Sequence, residues 1–270
     1  MMLKRIWSAL LCFAVCMGLV GCQNAEDITV EKGVLRIGVR DFVPGFGYKN
    51  PDSGVYSGLE IDIAKALAAK TGNTLELISV DNAQRTQMLD DDLVDCVIAT
   101  FSETDERTAN YDFSVSYYTD YVRILVENSS KIETIGDLTG LNVGVVQNST
   151  AAEALVDAMI QAGYIPTTDM SGFEPEDFSG GISFTVYDDY ARLEYGLETG
   201  EVDAAAGDGS LLIGYNSNDR SFLPEKLAEQ HYGICMKKDS PLKSEADDLI
   251  NRMIEDGTLE EYMANHGLTE

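Results

Sequence analysis

Apolar and polar positions along this chain fall into short blocks, and the blocks come in two rounds. Residues 34–39 (Val-Leu-Arg-Ile-Gly-Val) read as a buried strand. A loop rich in Gly, Pro and Tyr follows over 44–58. Apolar side chains at Leu59, Ile63, Ala66 and Leu67 have helical spacing over 59–71, and Gly72 stops that helix. Residues 74–80 read as a strand, Asp81 or Asn82 can cap a short helix running to Leu89, and 94–100 read as another strand. Strand, helix, strand, helix, strand is the alternation of a parallel sheet with crossover helices.

The alternation then breaks and restarts. No helix long enough for a crossover follows Thr100, and residues 117–126 form one long aromatic and β-branched run. A second round predicts a strand over 142–147, a helix opened by Ser149 or Thr150 and stopped by Gly163, and a strand over 182–187. It closes with a helix capped by Asp188 and a strand over 202–207. A strand-like run over 227–236 and two helices, 241–256 and 259–266, complete the chain. Segment 165–181, with Pro, Gly and acids and little periodicity, reads as a solvated loop. The two rounds echo each other: Val94-Asp95 and Val202-Asp203 each open a small apolar strand, with Thr100 and Asp208 six positions after the Val. The expectation is two α/β lobes facing one cleft, because ligands of open α/β sheets sit beyond the carboxyl ends of the strands.

The first residues are not part of that fold. Lys4 and Arg5 precede an apolar run over 6–20 that is short for a bilayer span and fits an export signal, 1–21. Leu19-Val20-Gly21-Cys22 resembles a lipobox, so Cys22 is the expected lipidation site and 22–32 a polar tether. These readings predict a protein anchored by lipid on the extracytoplasmic face of a membrane. The formal net charge of −27 becomes more negative by two once the signal leaves, which argues against nucleic acid or anionic lipid as a partner. Of five cysteines only Cys96 and Cys235 remain beyond Cys22, both in apolar runs, and two free thiols are expected rather than a disulfide.

Motifs for catalysis are missing. There is no phosphate-binding loop, HExxH, paired CxxC or G-x-S-x-G, and Gly207-Asp208-Gly209 lacks the third glycine of a dinucleotide fingerprint. The only histidines, His231 and His266, have no nucleophile or ligand partner near them in sequence. No enzyme activity, cofactor or metal is implied.

What the chain offers instead suits a zwitterion. Thr100, Ser102 and Thr104 leave a strand end and lead to Arg107, whose planar fork pairs bidentately with a carboxylate. Ser149 and Thr150 stand at an expected helix start, where free N–H groups favour an anion. Asp208, at the opposing strand end, can accept from an ammonium. Singly, each has an ordinary structural use: Arg107 as a surface ion pair with Glu103 or Glu106, Ser149 and Asp208 as helix caps.

The ordered stretches Gly58-Leu59-Glu60-Ile61-Asp62, Ala99-Thr100-Phe101-Ser102 with Arg107, Tyr111-Asp112-Phe113-Ser114, Asn142-Val143-Gly144-Val145 with Ser149-Thr150, and Val202-Asp203 through Asp208 resemble the family 3 extracellular solute-binding proteins, the polar amino-acid binders of ABC importers. The resemblance covers nearly all of 33–267. It implies a two-lobed type II periplasmic-binding fold, with lobe 1 over 33–122 plus 225–270 and lobe 2 over 123–224. It also implies a monomer that closes on an amino acid and presents it to ABC permease subunits. In family terms Arg107 clamps the α-carboxylate, Thr100 and Ser102 serve the ammonium and carboxylate, and Thr150 donates to the carboxylate. Asp208 holds the ammonium, and Phe42 covers the ligand. Basic residues at Arg40 and Arg85 reach the ligand's side chain in members like this one. An unpaired cation in a cleft is costly, which puts glutamate or aspartate ahead of glutamine, cystine or another polar amino acid. Pairing of Arg40 or Arg85 with Asp62 or Asp91 is the alternative. Departures from the pattern are Gln87 and Ser116 for proline and Asn148 for glycine. A sensory domain, expected to carry a further module beyond Glu270, and a dehydratase-like enzyme are the rival functions on the same fold.

Overall fold

The structure, a computed structural model, describes residues 33–269. The signal 1–21, the lipidation at Cys22 and the tether 22–32 lie outside the described residues.

The chain opens with β1 (Val34–Val39). A small antiparallel sheet follows from β2 (Phe42–Val43), β3 (Gly47–Lys49) and β4 (Tyr56–Ser57). Next come α1 (Leu59–Thr71), β5 (Thr74–Ser79), α2 (Gln84–Asp90) and β6 (Cys96–Ile98). A six-residue α3 (Asp105–Asn110) and β7 (Tyr111–Phe113) lead to the ten-residue β8 (Tyr118–Glu127). The second round is β9 (Asn142–Val146), α4 (Ala151–Gln161), β10 (Ser183–Tyr187), α5 (Tyr190–Thr199), β11 (Ala204–Asp208) and the short α6 (Gly209–Leu212). Then follow β12 (Arg220–Phe222), β13 (Glu229–Tyr232), β14 (Cys235–Lys237), α7 (Leu242–Glu255) and α8 (Thr258–Asn265).

Two mixed sheets result, which is the two-lobed type II periplasmic-binding architecture. In the first the order is β5-β1-β6-β14-β7, with β1 parallel to β5 and β6 and β14 antiparallel to its neighbours. In the second it is β10-β9-β11-β8-β12, with β9 parallel to β10 and β11 and β8 antiparallel. β8 spans the second sheet, and β13 is that sheet's sixth strand. The first half of β8, Tyr118 to Tyr121, pairs with β13, and its second half pairs with β11 and β12. The echo between Val94-Asp95 and Val202-Asp203 has a shared cause. The Asp95 carboxylate accepts from the Arg36 amide at 2.8 Å while its own amide donates to the Arg36 carbonyl. Asp203 does the same with Asn142, accepting at 2.9 Å. Each acid closes the start of a parallel strand pair, where ladder bonds have not yet begun.

Some boundaries move. The run 227–236 is two strands in different pairings, because the chain breaks at Gly233-Ile234 to pass from β8 to β6 and β7. Asp189, not Asp188, caps α5, its carboxylate accepting from the Arg192 amide. Segment 165–181 is less solvated than its composition suggests. Phe173 and Phe178 pack edge-on at 5.5 Å and both meet Phe184, so the loop is tied to the second core. Cys96 and Cys235 are buried and free, and burial pushes the Cys235 thiol up to about 12. Neither histidine gathers a site: His266 meets Asp62 at 2.8 Å, and His231 lies 3.4 Å from Thr119 Oγ1.

One glycine locks the first lobe's geometry. Gly58, at φ 126°, precedes α1, and a Cβ there would lie 2.0 Å from the Phe46 carbonyl oxygen. Only glycine lets the β2–β3 hairpin approach the helix start this closely. Gly58→Ala is expected to lower stability by about 3 kcal/mol, read as a drop in the denaturant midpoint at unchanged slope.

Candidate functional site

The polar residues singled out by the sequence converge where the carboxyl ends of strands from both sheets meet. A cavity of about 10 Å³, near the room one water needs, is lined by Asn82, Arg85, Thr100, Ser102, Arg107, Asn148, Ser149, Thr150, Tyr190, Asp208 and Leu211. The loops of the first, five-stranded sheet supply the cations with Thr100 and Ser102, and the segments after β9, β10 and β11 supply the opposing wall, Ser149 and Thr150 included. Arg40 and Phe42 do not line it.

Two guanidiniums dominate. Arg85 is 3% exposed; its Nη1 donates to the carbonyls of Ala99 and Thr100 at 3.2 and 3.1 Å, and its Nη2 to that of Asn148 at 3.1 Å. Arg107 donates from Nη1 to the Ser102 carbonyl at 2.8 Å and from Nη2 to the same Asn148 carbonyl at 3.0 Å. Both lie over the Phe101 ring, at 4.2 and 4.4 Å from its centroid. Neither makes an ion pair with Glu103, Glu106 or Asp91. Burial, then the charges of Arg107 and Arg40, pull Arg85 down to about 9. Burial likewise lowers Arg107, against the pull of Asp208.

Asn148 stands at φ 53°, a left-handed backbone that suits glycine and that asparagine tolerates better than most residues. The turn therefore keeps the shape a glycine would give it, and its carbonyl points at both arginines. Asn82 Nδ2 adds a third bond between the halves, to the Gln147 carbonyl at 3.2 Å.

Asp208 faces the arginines from β11. It is 6% exposed, Oδ2 accepts from the Tyr232 hydroxyl at 2.5 Å, and Oδ1 is buried with no partner. Burial first, and then the nearby Asp120, push its carboxyl up to about 7; Tyr232, Arg85 and Arg107 pull the other way. Asp120 is itself engaged, accepting from the Ser210 amide at 2.9 Å and hydroxyl at 2.5 Å. Asp208 holds the N-cap position of α6 without a side-chain cap bond, which leaves Oδ1 for the cavity.

The hydroxyls are less free. Thr100, at φ 46°, turns its hydroxyl to the Ala99 carbonyl at 2.8 Å. Ser149 donates to the Val146 carbonyl at 2.7 Å, and Thr150 to Gln230 Oε1 at 2.6 Å. Thr150 is the α4 N-cap by position but makes no side-chain cap bond. Arg40 is 1% exposed, donates to Asn82 Oδ1 at 2.5 Å and lies over the Phe42 ring at 4.8 Å, without touching Asp62.

Sequence reasoning missed Glu60, Asn82, Tyr190 and Tyr232. Glu60 is fully buried in the first turn of α1. Its Oε1 accepts from the Thr100 amide at 2.5 Å and the Tyr117 hydroxyl at 2.6 Å, and Oε2 has no partner. The only signal for it was an acid in an otherwise apolar helix face.

A family model of the bacterial extracellular solute-binding proteins, family 3, matches residues 35–269. A glutamine-binding protein of Geobacillus stearothermophilus is 31% identical over 226 residues, covering 82% of this chain and 78% of its own. The glutamate-binding protein GluB of Corynebacterium glutamicum is 27% identical over 258 residues, covering 88% of this chain and 79% of its own. An ancestral arginine-binding protein bound to arginine superposes with a TM-score of 0.72 at 28% identity, covering 87% of this chain and 98% of that one.

The raised Asp208 carboxyl has a stability consequence with a definite sign. Its proton is held more tightly folded than unfolded, so its ionisation destabilises the fold. That penalty is absent below the unfolded value near 4 and complete above about 7. Asp208→Asn keeps the acceptor for Tyr232 and removes the charge. It is expected to raise the unfolding free energy at pH 8 by up to roughly 4 kcal/mol, with the gain shrinking toward zero at pH 4. Denaturant melts across that range check both the sign and the window.

Proposed function

The chain belongs to the family 3 bacterial extracellular solute-binding proteins, and on that premise we propose that the cavity between the sheets captures a polar α-amino acid for an ABC importer. The observation that carries the reading is Asp208 Oδ1, a buried and unpartnered carboxylate oxygen facing two guanidiniums. An α-amino acid supplies the complement of both: an ammonium for Asp208 and a carboxylate for Arg107. A ligand carboxylate is a stronger acceptor than the Asn148 carbonyl, so it would replace that oxygen on Arg107 and leave the Ser149 and Thr150 amides within the same turn. Thr100 and Ser102 would frame the ammonium and carboxylate from the first lobe, and Phe42 would back the site through Arg40.

Capture proceeds by closure of lobe 1, 33–122 with 225–270, on lobe 2, 123–224. β8 and β13 are the natural hinge, since the chain crosses from the first sheet to the second between β7 and β8 and returns between β13 and β14. The closed surface is what permease subunits would meet, with a lipid anchor on Cys22 keeping the monomer at the membrane.

Within that class we infer an acidic side chain, glutamate or aspartate. Arg40, Arg85 and Arg107 stand with two buried carboxylates, Glu60 and Asp208, and a second ligand carboxylate relieves the surplus cation. Glutamine is the second reading. It is favoured by the four backbone carbonyls and one amide oxygen that already occupy the Arg85 and Arg40 donors, and by Asn82 in the cavity wall.

Calorimetry against a panel of amino acids tests both levels. Glutamate or aspartate should bind tighter than glutamine or cystine; a glutamine preference overturns the acidic reading alone. Arg107→Ala should weaken every ligand by a hundredfold or more, on the scale of a lost charge-assisted pair. Normal binding by that variant sinks the site.

Proton linkage gives an independent check. With Asp208 at about 7, docking of an ammonium requires the ionised carboxylate, so affinity should fall as pH drops below 7. The weakening approaches tenfold per pH unit, with one proton released per ligand at pH 6. Asp208→Asn should bind weakly with no such slope.

A further inference from the structure

Glu60 does not line the cavity, and no catalytic or binding assignment requires it, yet its placement is tightly constrained. It sits on α1 with no solvent exposure. Oε1 takes two hydrogen bonds, from the Thr100 amide and the Tyr117 hydroxyl, and Oε2 takes none. A fully buried carboxylate with an orphaned oxygen is costly unless cations stand nearby to compensate it. They do. Burial pushes its carboxyl up; the hydrogen bonds from Tyr117 and Thr100, and then the charges of Arg40 and Arg85, pull it back toward the ionised form.

The geometry makes Thr100 a shared handle. Glu60 holds its amide from one side, and Arg85 Nη1 holds its carbonyl from the other. Acid and cation therefore grip one peptide unit that is already in a left-handed backbone, at φ 46°. Arg40, the other cation, is fixed through Asn82, which does line the cavity. Arg107 and Asp208 also act on Arg85, so three guanidiniums face two buried carboxylates; with Arg107 and Asp208 committed to the two ends of the zwitterion, Arg40, Arg85 and Glu60 leave a net positive charge by the wall against which a ligand side chain would rest.

We propose that Glu60 is the internal counter-ion of the Arg40–Arg85 pair and thereby determines which charge class of side chain the site accepts. It competes with the ligand for the same cations. With Glu60 ionised, one positive charge is left over for a side-chain carboxylate. With its charge removed, two are left, and the preference for an acidic ligand over its neutral amide rises. With one of the cations removed instead, none is left, and the preference collapses toward the amide. Glu60 is a positioning and charge-setting residue, not a ligand contact. This rests on the amino-acid reading above.

The test is the ratio of glutamine to glutamate dissociation constants, measured by calorimetry on the full chain. Glu60→Gln is the informative variant because the amide oxygen can still accept from Thr100 and Tyr117, so charge changes while the hydrogen bonds persist. The ratio should rise about tenfold over wild type, the scale of one charge acting across roughly 10 Å of partly buried protein. Arg40→Gln, which touches the cavity only through Asn82, should lower the ratio by a similar factor. This second variant decides the matter if Glu60→Gln fails to fold. Tyr117→Phe removes a hydrogen bond from Glu60 without changing charge, and should leave the ratio within twofold of wild type. A ratio unchanged in both charge variants overturns the proposal while leaving the amino-acid reading intact. If wild type binds neither glutamate nor glutamine, the acidic-ligand reading fails first and the counter-ion role falls with it.

Discussion

Arg85 and Arg107 lie on one phenyl ring and donate to one carbonyl oxygen across the cleft, and the site's other features follow from that crowding. Two like charges this close repel in any medium, and more so where water is thin. Phe101 offers each guanidinium its π face, worth about 1–2 kcal/mol where desolvated. Backbone carbonyls take up most of the remaining donors. Neither contribution neutralises charge. In a protein whose formal charge is −27, the charge that balances these two cations in the cleft must come from Asp208 and from a bound anion. The screening length of about 8 Å at physiological salt keeps the acidic exterior from supplying it.

That crowding gives Asp208 its character. Burial and Asp120 raise its carboxyl while the two arginines hold it down, so it sits near neutrality and not at either extreme. Its anchorage matters as much as its charge. Tyr232, at the end of β13, bonds Asp208 at 2.5 Å and approaches Asp120 of β8 at 3.3 Å. Its ring stacks on Tyr118 at 5.7 Å. The acceptor in the cleft is thus fastened to the two strands at which the chain enters and leaves the second sheet. A change in the angle between the halves necessarily moves Asp208 relative to Arg107.

The distinction between what sequence revealed and what it hid is physical. Helices and strands were legible because their periodicities come from local geometry: Leu59, Ile63 and Leu67 must share a face if 59–71 is helical, and they are all buried. The repeat of Val94-Asp95 in Val202-Asp203 was legible because one acid does the same local work at two strand starts. Which residues would gather at strand ends was legible from topology, and Thr100, Ser102, Arg107, Ser149, Thr150 and Asp208 do line one cavity. The direction of a long side chain was not. Arg40 and Arg85 read as cleft-facing cations; Arg85 does line the cavity, though its donors go to carbonyls of three loops, whereas Arg40 turns away to Asn82 and Phe42. Those partners lie up to 63 residues away in sequence. Glu60 was hidden for the same reason, since its worth depends on Thr100 and Tyr117, which no local pattern connects to α1. The break of 227–236 at Gly233 was missed because a strand that changes sheets keeps its apolar alternation.

The charges are divided between the halves in a way that couples recognition to shape. The guanidiniums and the Thr100–Ser102 turn belong to the first sheet's loops, while Asp208 and the Asn148 turn belong to the second's. Neither half alone presents complementary groups to both ends of a zwitterion. The first could hold a carboxylate, and the second could hold an ammonium only with a carboxyl that is already reluctant to ionise. Bringing the halves together places Asp208 within the field of Arg85 and Arg107, which favours its charged form, at the moment an ammonium would need it. On the proposed reading, closure would strengthen the acceptor, and the strengthened acceptor would favour closure. Such reciprocity is what linkage demands of any two events that share one equilibrium.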